Sequence, residues 1–180
     1  MGPNVIEQLA LLGLRPGDID LLVCTHFDLD HAGRHGAFPK AEFIVQSTHY
    51  AAARGGDPRF AATRAQWDQP VARYRLVDGD TELLPGLELI ETSGHVPGHQ
   101  SVLVRLPKTG PVLLTIDAVP DRESFTPDRA PGTRDMDAEG TRRSTRKLLE
   151  RADHERAALV IFGHDGAQWQ TLKKVPDWYG

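Results

Sequence analysis

One cysteine, Cys24, stands among 180 residues, so no internal disulfide framework can brace this chain and a packed core must stabilise it. Charge of one sign is missing too. The 21 Lys and Arg against 25 Asp and Glu give a net charge of −4, with no basic footprint to neutralise a phosphate backbone. No apolar run approaches the roughly 20 residues that a bilayer-spanning helix needs. Met1-Gly2-Pro3-Asn4 has neither the basic nor the apolar region of a signal peptide, which with the lone thiol leads to an expected cytoplasmic location. Repeats and low-complexity segments are absent, and the length suits one domain, 1–180, with a full hydrophobic core. These absences set aside nucleic acid and membrane as partners.

What is present is a knot of ligand-type side chains at Thr25-His26-Phe27-Asp28-Leu29-Asp30-His31-Ala32-Gly33. The largely apolar run Ile19 to Thr25 leads straight into it, as a buried strand does when it delivers residues to a loop at its carboxyl end. Imidazole suits zinc or iron, and carboxylate suits hard or borderline divalent ions, so the pattern points to a metal site. Matching side chains recur where later strands should end. Gly94-His95-Val96-Pro97-Gly98-His99-Gln100-Ser101 follows Leu87 to Ile90, Leu113-Leu114-Thr115-Ile116 leads to Asp117, and Leu159 to Gly163 leads to His164.

The remaining pattern predicts the frame. Asn4 and Glu7 read as the two halves of a capping box that opens a helix ended by Gly13. Strands are expected at Ile19–Thr25, Ala41–Gln46 and Leu87–Thr92. Tyr74–Val77 and Thr81–Leu84 read as a hairpin around Asp78-Gly79-Asp80, and Gln100–Leu106 with Val112–Ile116 as a second one. Ser47 is expected to cap a short helix through Ala53, and Asp137 a longer one from Ala138 to about Arg151. Residues 55–70 lack a clean period, so Phe60 and Trp67 read equally as a substrate wall or as core. The polar stretch Pro120 to Asp137 is expected to loop over the site or the surface. Ala158–Phe162 then carries His164. Cys24 reads as a small buried side chain, and His35, His49 and His154 as surface or packing residues.

The segments HVPGHQS, LLTIDA and IFGHD, with the order of ligands, resemble the metallo-β-lactamase-fold hydrolases, and among them the N-acyl homoserine lactonase group. The resemblance runs from Asp20 to about Asp165. It implies an α/β fold, an αββα sandwich of two sheets flanked by helices. It implies two divalent metal ions, zinc first, with iron or manganese as alternatives. His26, Asp28 and His99 would hold the first ion and Asp30, His31 and His164 the second, with Asp117 bridging and His95 shaping its loop. Two such ions acidify a shared water and polarise a carbonyl. The substrate implied is a small-molecule lactone, an N-acyl homoserine lactone, with Asp30 relaying a proton to the departing alkoxide. That would make the protein a quorum-quenching hydrolase.

Three departures from the family pattern stand out. Asp28 occupies a position where the family has a second histidine, and the added anion shifts preference toward oxygen-loving ions. Asp117 is followed by Ala118, Val119 and Pro120, without the tyrosine such lactonases carry. Only one helix and one strand precede the first motif, so the domain is expected to be amino-terminally incomplete and to lack part of the N-terminal sheet. The same centre would serve thioester hydrolysis of the glyoxalase II type, and a non-catalytic truncated homologue would keep the ligands without the chemistry.

Overall fold

The computed structural model describes residues 4–70 and 72–180, and the leader reading on Met1-Gly2-Pro3 lies outside them. Helix α1 (Val5–Leu11) begins as the sequence predicts: the Asn4 side chain accepts the Ile6 and Glu7 amides while the Glu7 carboxylate accepts the Asn4 amide. Strands β1 (Leu21–Val23), β2 (Glu42–Gln46) and β3 (Arg73–Val77) then form a parallel sheet in that order. A second sheet holds β4 (Thr81–Leu84), β5 (Leu87–Glu91), β6 (Gln100–Leu106), β7 (Gly110–Ile116) and β8 (Leu159–Phe162). Its first four strands pair antiparallel, and β8 joins β7 in parallel.

Side-chain alternation along the strands explains why the sheets stack. On β2, Phe43 and Val45 turn outward onto Ala53, Phe60 and Trp67 of helices α2 (Ser47–Arg54), α3 (Pro58–Ala61) and α4 (Arg64–Trp67). Ile44, between them in sequence, turns inward and packs with Leu83 and Leu89 of the second sheet. That sheet repeats the pattern: Leu89 faces inward while Ile90 packs outward with Leu103, Leu113 and Leu148, the last on helix α5 (Ala138–His154). The result is the expected αββα sandwich, closed by helix α6 (Gly166–Thr171) after β8. No helix among the described residues is long and apolar enough to cross a membrane.

Several expectations need correction. Strand β3 and strand β4 are not a hairpin; they belong to different sheets, and Asp78-Gly79-Asp80 carries the chain across. Gln46 at the end of β2 fixes that crossing, since its side chain donates to the Gly79 carbonyl and accepts the Gly79 amide, both at 2.9 Å. Ser47 is not a cap either: Gln46 holds that position, and the Ser47 hydroxyl donates to Asp78. The first strand is shorter than predicted, although Cys24 still donates its amide to the Ile44 carbonyl at 2.9 Å. Residues 55–70 fold as two short helices whose Phe60 and Trp67 are wholly buried, with Trp67 stacked on Phe27 at 4.8 Å between ring centroids. They are core.

Polar stitching joins the sheets as well. Buried Gln100, at the start of β6, donates to the carbonyls of Cys24 at 2.9 Å and Ile44 at 3.3 Å and accepts from Gln46 at 3.1 Å. A buried amide so fully partnered fixes the register of one sheet against the other.

Candidate metal centre

The carboxyl ends of the strands meet where the two sheets adjoin, and four imidazoles converge there on Asp117. Its carboxylate lies 3.8 Å from His26 Nε2, 3.4 Å from His95 Nε2 and 3.2 Å from Nε2 of both His31 and His164. Local backbone geometry aims it. The β7–β8 pairing slips between Leu114 and Ile116, and Ile116 takes φ +52°, a region that a β-branched residue adopts only under constraint. Gly163 allows the approach of the next strand, because a Cβ there would stand 2.5 Å from the Ile116 carbonyl oxygen and 2.9 Å from Asp117 Oδ1.

Two ligand atoms about 2.1 Å from a tetrahedral ion stand about 3.4 Å apart. The separations around Asp117 match that spacing. His31 Nε2 and His164 Nε2 lie 3.7 and 3.6 Å from Asp30 Oδ2, so Asp30, His31 and His164 make one compact group, with Asp30 and His164 open to solvent. Among the described residues, buried His26 Nε2 and Asp117 Oδ1 have no hydrogen-bond partner. Buried polar atoms rarely go unpaired, and two converging ones fit a site that takes a cation. Burial opposes the charge of Asp117, but His31, His26 and His95 around it hold its carboxyl well below the usual range. Burial likewise pushes the His26 imidazole below its ordinary value.

The structure exchanges the two histidines of the HVPGH segment relative to expectation. His95 joins the cluster, 3.2 Å from Asp28 Oδ2, and forms a compact group with His26 and Asp28. His99 lies behind it: Nδ1 meets the Thr92 hydroxyl at 2.8 Å, Nε2 accepts the Asp117 amide at 3.3 Å, and complete burial drives its pKa far down. It supports the backbone of Asp117 and stands outside the ligand groups. Spacing alone offered two histidines in one turn and no means to choose.

Other contributors carry no motif. Arg59, on α3, grips Asp28 with two hydrogen bonds, Nε to Oδ1 at 2.7 Å and Nη2 to Oδ2, while Nη2 also lies 2.9 Å from His95 Nε2. Burial opposes the Asp28 charge, yet Arg59, His26 and His95 hold its carboxyl far below the usual range. A buried carboxylate at position 28 requires a cation, which was the available signal; the sequence offers 21. His95 Nδ1 lies 3.1 Å from Asp135, whose other oxygen accepts from buried Arg129 at 3.0 Å. Burial opposes a charge on His95, but Asp135 and Asp28 raise its pKa above the ordinary value. His49 is packed, as expected, but it also spans the site: Nε2 accepts the Phe27 amide at 2.9 Å and Nδ1 donates to the Pro97 carbonyl at 2.8 Å. Cys24 is buried, as expected, and burial pushes its thiol above the ordinary value.

A cavity of about 260 Å³ opens beside the cluster, between His95, Asp117 and His164 on one wall and Pro120, Arg129 and the 132–135 turn on the other. The loop expected over the site or surface thus forms a wall of this space.

Comparison with known proteins places the chain in a family. Residues 2–164 match the Metallo-beta-lactamase superfamily, and the chain belongs to it. Among curated proteins it is 35% identical to an N-acyl homoserine lactonase of a Bacillus species, over 97% of this chain and 67% of that protein. It is 37% identical to the N-acyl homoserine lactonase AttM of Azorhizobium caulinodans, over 97% and 68%. The chain thus spans about two thirds of the length of these relatives. Among solved structures, an N-acyl homoserine lactone hydrolase with N-hexanoyl-L-homoserine bound at its catalytic metal center superposes with TM-score 0.88 at 32% identity, covering 98% of this chain and 68% of the other.

Proposed function

We propose that this chain is a metal-dependent hydrolase that opens the lactone ring of N-acyl homoserine lactones, a quorum-quenching activity. The observation that carries the reading is the convergence of four imidazoles on Asp117 beside a cavity, in a chain similar to lactonases over nearly its whole length. His26, Asp28 and His95 form one ligand set and Asp30, His31 and His164 another, and Asp117 touches both. That arrangement is the basis for a divalent metal centre. Zinc suits the imidazole-rich shell, and iron or manganese the added Asp28. A divalent ion held there lowers the pKa of water toward neutrality and polarises a carbonyl.

The protein's own groups do the rest. Asp30 lies at the solvent-open edge, 3.6 Å from His164, placed to move a proton to the alkoxide that leaves when the ring opens. The cavity of about 260 Å³ falls just below the roughly 300–1,000 Å³ of drug-sized sites, so it admits a compact ring and leaves an acyl chain outside. Arg129 is spent on Asp135 and braces the wall that orients His95.

The test is turnover of an N-acyl homoserine lactone against a glutathione thioester by zinc-loaded protein, followed by acid or thiol release. Faster lactone opening supports the assignment. Preference for the thioester, or metal binding without lactone turnover, overturns it.

A further inference from the structure

The two ligand sets around Asp117 differ in one respect that spacing does not reveal: only one already contains a cation. The Arg59 guanidinium lies among His26, Asp28 and His95, taking both Asp28 oxygens and approaching His95 Nε2 at 2.9 Å, while its Nη1 donates to the Arg134 carbonyl at 2.6 Å. Whichever proton state His95 adopts, Nε2 is engaged: a lone pair meets Arg59, and an N–H meets Asp28. Two of the three side chains that would bind a first ion, Asp28 and His95, are therefore already held by Arg59, which leaves His26 Nε2 alone there. Guanidinium cannot shed its proton to make room, and its planar fork matches a carboxylate at two points.

Charge leads to the same result. Asp28, Asp30 and Asp117 contribute three negative charges, which Arg59 and one divalent ion balance. A second divalent ion would leave two positive charges in excess in a largely buried cluster. The set built on Asp30, His31 and His164 has no such competitor among the described residues, and the nearest carboxylate to share is Asp117, at 3.2 Å from both imidazoles.

Resting on the metal-hydrolase reading above, we propose that the Arg59 guanidinium replaces the first metal ion, so that the chain retains one divalent ion, on Asp30, His31, Asp117 and His164. Arg59 and Asp28 then act as an exchanged pair: the usual histidine and ion have given way to a carboxylate and a fixed organic cation. Arg59 supplies positive charge beside Asp117 without a second metal.

Zinc per chain decides the matter, measured by elemental analysis after loading with zinc and dialysis, and by calorimetric titration of the metal-free protein with zinc. Wild type is expected to hold close to one ion, and the double variant Asp28→His, Arg59→Met close to two. Two ions in wild type overturn the proposal while leaving the hydrolase reading intact, and so does a double variant that stays at one. No tightly held ion in wild type overturns both. The wild-type titration needs no variant to fold, and a circular dichroism spectrum matching wild type qualifies the double variant for comparison.

Discussion

His49 Nε2 accepts the Phe27 amide at 2.9 Å, so a residue on α2 fixes the backbone between His26 and Asp28. The other ring nitrogen holds the Pro97 carbonyl, between His95 and His99. One buried imidazole therefore sets the distance between two ligand-bearing loops. His49→Ala should cost about 3 kcal/mol, the penalty for a buried amide and carbonyl losing their partner, and should lower zinc retention. Denaturant midpoints and metal content measure the two effects; a stable variant with undiminished zinc would remove the spanning role.

Acid should weaken the fold through the same side chain. Burial lowers the His49 pKa from 6.5 to about 4, outweighing its bond to Pro97. The unfolded chain therefore binds a proton that the folded chain refuses between about pH 6.5 and pH 4. Stability present above pH 6.5 is lost as pH falls through that window, by about 3 kcal/mol at roughly 1.4 kcal/mol per unit. Unfolding measured from pH 8 to pH 4 should show this slope in metal-free wild type and a shallower one in His49→Gln.

Asp117 is reached by more imidazoles than any other carboxylate among the described residues. Asp117→Asn should weaken zinc binding at least about ten-fold, the loss expected even from disturbing a supporting group. His26→Ala should weaken it less, because that ring lies outside the Asp30, His31 and His164 group and only flanks it through His31 and Asp117. Equal zinc affinity in wild type and Asp117→Asn would exclude a shared ligand.

The Arg129–Asp135 pair is almost wholly enclosed. Asp135→Ala leaves the guanidinium buried with only the Ala118 carbonyl and should destabilise by about 3–5 kcal/mol. Asp135→Asn keeps an acceptor and should cost less. If Asp135→Asn melts like wild type, the charge on Asp135 does not matter; if it melts like Asp135→Ala, the remaining acceptor contributes nothing.

Gly163→Ala tests the approach of β8 to the site. The added methyl would meet the Ile116 carbonyl oxygen at 2.5 Å, so either strand must move and Asp117 with it. The expected outcome is a loss of both stability and zinc; a variant unchanged in both would show that β7 yields without moving Asp117.

Legibility in the sequence followed the reach of each interaction. Helix starts depend on contacts two or three residues apart, and Asn4 with Glu7 and Asp137 with the Glu139 amide stand where their residue types place them. Strand ends bearing His26, Asp117 and His164 were legible because an apolar run and a metal-competent side chain adjoin in sequence. The two-sheet topology was harder. Asp78-Gly79-Asp80 has hairpin chemistry, and contacts distant in sequence, among them the Gln46 side chain 33 residues from Gly79, turn it into a crossing. Arg59 was invisible for the same reason: its partner, Asp28, lies 31 residues back, and no local pattern marks one arginine among many. The choice of His95 over His99 depends on the turn at Gly98; at φ +63°, and with no room for a Cβ against the His49 backbone, that turn is a tertiary fact.

The cluster draws His26 and His31 from the edge of the parallel sheet, and His95, Asp117 and His164 from the antiparallel one. An ion held there would act as a latch across the seam between the sheets, added to the Gln100 stitching and the Ile44–Leu89 contact. Metal occupancy and sheet docking would then be one equilibrium: chelation should loosen the seam before it melts either sheet, and amide exchange at Gln100, whose N–H crosses to the Thr25 carbonyl at 3.2 Å, should rise before that at Cys24, which bonds within its own sheet.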